Sequence, residues 1–117
     1  APQSRVVSID LNLSQIYPWC VAPNLEYRCH ASMDPPTPEL RDLELLFIDT
    51  DHDGELVQRE LALWLPQMSP TGIVLLDDIE LSDPMRRFWS SWSHPNYDKL
   101  SLNVHSHCGF GVLLPHA

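Results

Sequence analysis

The chain has 117 residues, of which 44% are hydrophobic and 20% are charged, and these values are ordinary for one soluble globular domain. Its 16 acidic and 7 basic residues give a formal net charge of −9, which argues against binding to nucleic acid or to anionic membranes. No apolar run approaches the roughly 20 residues of a membrane span, and three cysteines without C-x-x-C spacing favour a reducing, cytoplasmic location.

Two short strands are predicted in the first third of the chain. Residues 5–10 carry a β-branched run that ends in Asp10, and residues 25–30 form a second candidate strand. The stretch between them is irregular, because Pro18 and Pro23 preclude a long helix.

A short helix is predicted to begin near Thr37. Its hydroxyl is suited to capping, Pro38 suits the first helical position, and Glu39 places an acid in the first turn. This helix would lead directly into the next apolar run.

The central stretch predicts a strand–helix–strand unit. The apolar run at 43–48 is followed by residues 55–65, in which leucines and Trp64 recur near helical spacing. Residues 69–72 predict a turn, and residues 73–76 form a second apolar strand. Short continuous apolar runs around one helix are typical of a parallel sheet, in which ligands bind beyond the carboxyl ends of the strands.

Carboxylates follow both strands of this unit. Asp49, Asp51 and Asp53 come after the first strand, and Asp77 and Asp78 come after the second. Because adjacent parallel strands end at one edge, Asp49, Asp77 and Asp78 are expected to converge there. Three carboxylates this close together favour a bound cation, and all-oxygen ligands suit Mg²⁺ or Ca²⁺ rather than zinc.

The rest of the chain predicts a helix and two strands. Pro84 begins the helix, whose apolar stripe predicts core packing, with a lid over a planar acceptor as the alternative. The stripe consists of Met85, Phe88, Trp89 and Trp92. Residues 97–103 and 109–114 predict the strands. The loop between them holds His105 and His107, which would suit a metal if the loop is not simply solvated.

These motifs resemble the class I S-adenosylmethionine-dependent methyltransferases. The sequence FIDTDH, followed by a helix ending in ELALWLP and by P-x-G-I-V-L-L-D-D-I, resembles the family's D-x-x-H after its fourth strand and its paired acids after its fifth. RVVSID, LEYRCHASMDP, MRRFW and the tail beginning at YDKLSL resemble the second strand, the third strand, the helix after strand five and the closing hairpin.

The resemblance implies an α/β fold, with a Rossmann-like, mostly parallel sheet and an antiparallel C-terminal hairpin. Residues 1–117 would form a single domain that starts at the family's second strand. The family's first strand and glycine-rich turn have no counterpart, since the four glycines, at 54, 72, 109 and 111, form no such turn. The fold is therefore expected to be N-terminally incomplete, and the chain alone to bind the cofactor weakly or be inactive.

The resemblance also implies a set of cofactor-binding residues. Asp10 would accept hydrogen bonds from the ribose hydroxyls of S-adenosylmethionine, and Ser32 and Met33 would lie near the adenine. Asp49 would be the fourth cofactor-binding residue. The family often has an acid where Ala31 falls, so this chain departs from the pattern there.

The implied reaction is metal-assisted O-methyl transfer to a small acceptor. In metal-using relatives the acids that match Asp49, Asp77 and Asp78 hold a divalent ion that orients the acceptor hydroxyls. His52 is the candidate catalytic base, because imidazoles titrate near neutral pH.

A calcium-binding module is an alternative interpretation of residues 49–60. Acids occupy loop positions one, three and five of an EF-hand, Gly54 occupies position six, and Glu60 occupies position twelve. This alternative predicts a helix at 43–48, where the methyltransferase hypothesis predicts a strand. The absence of a second loop weighs against it.

A metal-dependent hydrolase of esters or lactones, using the same acids and His52 to activate water, is a further alternative. The missing first strand would leave two sheet edges unpaired, so a homo-oligomer or completion by another chain is expected.

Overall fold

The computed structural model describes residues 4–102 and 108–116, which form six strands and two α-helices. The elements are β1 (Val6–Asp10), β2 (Leu25–Cys29), β3 (Leu43–Ile48), α1 (Gly54–Trp64), β4 (Met68–Asp77), α2 (Asp83–Ser91), β5 (Tyr97–Leu102) and β6 (Phe110–Pro115). A short 3₁₀ turn, Leu65–Gln67, joins α1 to β4. The chain divides into two compact units, Ala1–Asp34 and Pro35–Ala117. No helix among the described residues is long and apolar enough to cross a membrane.

The first unit contains a two-stranded parallel sheet made of β1 and β2. The register places Asp10 opposite Cys29, so both strands end at the same edge. The N–H of His30 donates a hydrogen bond of 3.1 Å to the carbonyl of Asp10 and holds the two ends together. Both N-terminal strands predicted from the sequence are confirmed.

The second unit contains a four-stranded mixed sheet in the order β3-β4-β6-β5. β3 pairs with β4 in parallel, and β6 pairs antiparallel with both β4 and β5. Because α1 connects β3 to β4, the predicted strand–helix–strand unit is confirmed, as is the C-terminal hairpin of β5 and β6. The mixed α/β class is therefore confirmed. A single domain over residues 1–117 and its N-terminal incompleteness stay predictions.

Both helices pack on one face of the four-stranded sheet. Helix α1 begins at Asp53, whose carboxylate accepts a hydrogen bond from the N–H of Glu55, and α2 begins after Ser82, whose hydroxyl accepts one from the N–H of Met85. The core cluster joins strand and helix side chains: Ile48, Val57, Leu61, Val74, Leu76, Ile79, Met85, Phe88, Trp89, Trp92 and Leu113. The aromatic stripe of α2 is thus buried in the core, as predicted, rather than presented as a lid.

The turn predicted at residues 69–72 is wrong, because these residues lie within β4, which runs from Met68 to Asp77. The parallel ladder with β3 shifts register here, since Leu43 pairs with Met68 and Leu45 pairs with Ile73, and β6 pairs with β4 only from Val74 onward. Neither ladder gives Pro70 a partner, so its missing N–H breaks no pairing.

The helix predicted to begin at Thr37 is also wrong. Residues 38–39 form a single turn, closed by a 2.9 Å hydrogen bond from the N–H of Leu40 to the carbonyl of Thr37. Asp42, at φ +53°, then ends the turn before β3 begins. So short a stretch cannot offset the cost of helix nucleation. His105 and His107 lie outside the described residues.

Replacing Gly72 by alanine tests the pairing of β3 with β4. A Cβ at this buried glycine would collide with the carbonyl oxygen of Leu43 and lie 2.7 Å from Cε of Met68. Because the colliding atom is backbone, we expect Gly72→Ala to lower the free energy of unfolding by about 1–3 kcal/mol in urea titrations. Ser93→Ala, at an exposed residue, is the control and should change it by less than about 0.5 kcal/mol. Equal stability of the two variants would contradict the close approach.

Candidate functional site

The carboxyl ends of β3 and β4 bring three ionisable side chains together. Ile48 pairs with Leu76 at the last position of the parallel ladder, so Asp49 and Asp78 follow at the same edge of the sheet. One oxygen from each of these carboxylates and one ring nitrogen of His52 all lie within 4.8 Å of one another. The predicted convergence of Asp49 with Asp78 is therefore observed.

Asp78 is aimed into this group by an unusual backbone conformation. Its φ is +61°, a region that non-glycine residues rarely adopt. Its N–H donates to Oδ1 of Asp77 at 2.9 Å and to the carbonyl of Gly109 at 3.2 Å, and these bonds compensate for the strain. Asp77, the third acid of the predicted metal set, uses Oδ1 for this backbone bond and is not one of the three grouped residues.

His52 pairs directly with Asp78, with 2.8 Å between Nε2 and Oδ2. The loop that carries the imidazole is held at both ends. At its start, the hydroxyl of Thr50 donates 2.7 Å to the carboxylate of Glu60, which is only 1% exposed. At its end, Asp53 caps α1. The contact with Asp78 therefore orients the imidazole, and these two bonds anchor the loop on either side of it.

The same contacts contradict the EF-hand interpretation. Residues 43–48 form a strand instead of the helix that an EF-hand requires. Gly54, the sixth loop position, already begins α1, and Glu60, the twelfth, is buried against Thr50. The carboxylate spacing of residues 49–60 is thus explained by a strand end, a helix cap and a buried hydrogen bond.

The surroundings of Asp49 favour its protonated form. Partial burial raises the pKa of this carboxyl above its ordinary value, and the negative charges of Asp77 and Asp78 raise the pKa further. The charge of His52 acts in the opposite direction. Although Asp77 is outside the three-residue group, its charge acts on that group.

Cys108 is a neighbour of the site that the sequence did not indicate. The loop before β6 is tied to the loop after β4 by a 2.7 Å bond from the N–H of Glu80 to the carbonyl of Cys108. Burial raises the pKa of the Cys108 thiol, and the charge of Asp78 and a hydrogen bond to it raise that pKa further. The thiol therefore stays protonated at neutral pH. Cys108 lies near the site because the loop at Gly109 contacts the loop at Asp78, and no local sequence pattern indicates that contact.

The other predicted cofactor residues lie at the carboxyl edge of the first unit's sheet. Asp10 ends β1, and its Oδ1 accepts a hydrogen bond of 2.9 Å from the N–H of Asn12. Ser32 and Met33 lie in the turn after β2, which Asp34 closes by accepting 3.0 Å from the N–H of Ala31. The structure thus places Asp10 and this turn at one end of one sheet, whereas Asp49 belongs to the other unit.

Comparison with known proteins supports the interpretation of these motifs. A family model described as a methyltransferase domain matches residues 20–79, just over half of the chain. The chain is also 30% identical over 71 residues, 61% of its length, to the uncharacterised protein y4gI of Sinorhizobium fredii. The matched stretch spans only 8% of the length of that relative.

The pKa of Asp49 predicts the effect of pH on stability. Because the folded state binds this proton more tightly than the unfolded state does, stability falls as pH rises from the ordinary carboxyl value through the raised one. Asp49→Asn should therefore stabilise the protein at pH 7, by less than about 1 kcal/mol since exposed charges are screened. In urea unfolding the gain should shrink as the pH falls toward 3.8, the ordinary value of the carboxyl. Asp51→Asn, at an exposed residue outside the group, is the control. A gain that is independent of pH would contradict the assignment.

Proposed function

The chain belongs to the class I S-adenosylmethionine-dependent methyltransferase family, and we propose that it serves metal-assisted transfer of the cofactor's methyl group to an oxygen of a small acceptor. The single observation that carries this proposal is the convergence of Asp49, His52 and Asp78 beyond two parallel strands. Ligands of open α/β sheets bind at such an edge.

The donor set fits a divalent cation. Asp49 and Asp78 offer carboxylate oxygens within 4.8 Å of each other, and burial first, then the negative charges of Asp77 and Asp78, raise the pKa of Asp49. A cation held by these two residues, with Asp77 adjacent, would offset those negative charges. When bound, it would supply stabilisation of the negative charge that develops on the acceptor oxygen.

His52 serves as the general base. Its Nε2 donates to Oδ2 of Asp78 at 2.8 Å, so Nδ1 is the ring nitrogen that accepts the proton of the acceptor hydroxyl, and the carboxylate of Asp78 stabilises the imidazolium that results. When bound, S-adenosylmethionine would supply the sulfonium methyl group for the acceptor oxygen and would leave as the neutral thioether.

Asp10 takes the ribose hydroxyls of the cofactor. Its carboxylate is exposed at the end of β1, beside the turn that carries Ser32 and Met33. Residues 1–53 contain no glycine that could form a turn around the methionine end of the cofactor. We therefore expect weak affinity for S-adenosylmethionine in this chain alone.

Calorimetric titration with S-adenosylmethionine tests the cofactor assignment. We expect wild type to bind, and Asp10→Asn to bind at least about tenfold more weakly, because hydrogen bonds to a charged carboxylate contribute about 1.5–3 kcal/mol. Glu26→Gln, which neutralises the exposed carboxylate that pairs with Arg5 and Arg28 near the start of β2, is the control and should bind like wild type. No binding heat from a folded protein, or equal losses in both variants, would contradict cofactor binding at Asp10.

Thermal unfolding with Mg²⁺ or Ca²⁺ tests the cation assignment. A cation that binds only the folded state at a hundred times its dissociation constant stabilises by about 2.7 kcal/mol. We expect that stabilisation in wild type and its loss in Asp78→Asn, which removes one of the converging charges. Asp51→Asn, outside the group, should keep it. If neither cation shifts the wild-type transition, the metal-assisted mechanism is wrong even where the cofactor binds.

A further inference from the structure

A second concave site lies at the end of β4 that is opposite to Asp49 and Asp78. A cavity of about 780 Å³ opens there, between the end of α1, the start of β4, the loop from α2 to β5 and the end of β6. Small-molecule sites usually measure about 300–1,000 Å³. β4 has ten residues and each adds about 3.3 Å, so its two ends lie roughly 30 Å apart. All residues that line the cavity belong to the second unit.

Three rings form one wall of this cavity. The imidazole of His94 stacks on Trp92, with 6.0 Å between the ring centroids and 19° between the planes. Tyr97 meets the same imidazole edge-on at 5.3 Å. Leu61 and Met68 add aliphatic surface from α1 and β4. Because aromatic rings pack well in stacked or edge-on contacts at about 4.5–7 Å, this lining favours a planar aromatic ligand.

Two polar groups in the lining are placed to bind such a ligand. Nδ1 of His94 accepts a hydrogen bond of 3.1 Å from the N–H of Asn96, so in the neutral imidazole the proton is on Nε2, which is a donor. Ser69 is only 8% exposed, and its hydroxyl lies 3.4 Å from that of Thr71, at the long limit of a hydrogen bond. Both groups therefore suit a ligand that carries an acceptor oxygen.

The loop that carries His94 is held in place by its own hydrogen bonds. The N–H of Tyr97 donates to the carbonyl of His94 at 3.3 Å, and the N–H of His116 donates to the carbonyl of Asn96 at 2.9 Å. The second bond ties the loop to the end of β6. A wall fixed in this way reduces the entropy that a ligand loses by ordering its site.

The lining also indicates the charge of the ligand. Among the described residues that line the cavity, none is Lys, Arg, Asp or Glu. The ring of His116 pairs with the exposed Asp98, with 2.8 Å between Nε2 and Oδ1. An ionised ligand would lose its hydration here without gaining an opposite charge, so an uncharged ligand is favoured.

We propose that this cavity binds an uncharged, planar aromatic molecule that carries a hydroxyl or carbonyl oxygen. The ring of the ligand lies against Trp92, His94 and Tyr97, and its oxygen accepts a hydrogen bond from Nε2 of His94. This molecule is not the methyl acceptor, because His52 lies at the other end of the parallel strands. The proposal uses no residue of the candidate catalytic group and does not rest on the proposed methyl transfer.

Nuclear magnetic resonance titration of the full chain with 2-naphthol tests this proposal. We expect the amide signals of Ser69, His94 and Asn96 to shift and saturate, while those of Asp49 and Asp78 stay in place. The anion 2-naphthoate has the same rings and should bind at least about tenfold more weakly, because its charge finds no partner in the lining.

The variant His94→Ala should weaken the binding of 2-naphthol at least about fivefold, because it removes one ring contact and the Nε2 donor. His30→Ala is the matched control: this exposed histidine belongs to the first unit, so the variant should bind 2-naphthol like wild type.

A second variant keeps the test decisive if His94→Ala does not fold by circular dichroism. Ala62 is exposed on α1 and lines the cavity, so Ala62→Tyr fills the cavity without entering the core and should abolish the shifts. Wild type that shows no saturable shifts, or shifts centred on Asp49 and Asp78, would overturn the proposal. Undiminished binding in the folded variants, or equally tight binding of 2-naphthoate, would do the same.

Discussion

The parallel pairing of β3 with β4 is the interaction on which the rest of this structure depends. It places Ile48 opposite Leu76, and so delivers the residues that follow both strands to one edge. It also fixes the path of α1, which must cross the sheet to connect the two strands. A slip of one residue would turn Leu46 and Ile48 away from the core and Phe47 into it. The core and the candidate site therefore rest on the same register.

The site is held together by tertiary contacts as much as by the two strands. Asp78 can adopt its positive φ because its N–H is bonded both to Asp77 and to the carbonyl of Gly109, from a loop about thirty residues later in the chain. On the other side, Thr50 and the buried Glu60 anchor the loop that carries His52. The group that results contains one imidazole and two carboxylates whose atoms lie within 4.8 Å of one another.

The two faces of the four-stranded sheet are both apolar, but they differ in what covers them. Alternate residues of β3, β4 and β6 are apolar on both sides, which is typical of strands buried on two faces. Only one of these faces is covered by α1 and α2. On the other face Leu45 and Phe47 are more than half exposed, so the strands carry more apolar side chains than α1 and α2 cover.

The elements of the fold were predictable where short-range physical signals agree. The apolar run at 43–48 and the capped, amphipathic residues of α1 and α2 identify a strand and two helices without reference to the rest of the chain. The same signals failed around Thr37 and Pro70. A capping pattern does not make a helix when too few residues follow it, and a proline does not end a strand at a position without a ladder partner.

The sequence by itself determined the α/β class, the strand–helix–strand unit and the placing of acids after two neighbouring strands, because each follows from residue order and periodicity. Only the tertiary structure decided which acids meet. Asp78 turns inward and Asp77 bonds to the backbone, because a hydrogen bond from Asp78 to distant Gly109 sets the turn after β4. The proximity of Cys108 to the site has the same origin, since it depends on where two separate loops cross and not on any local pattern.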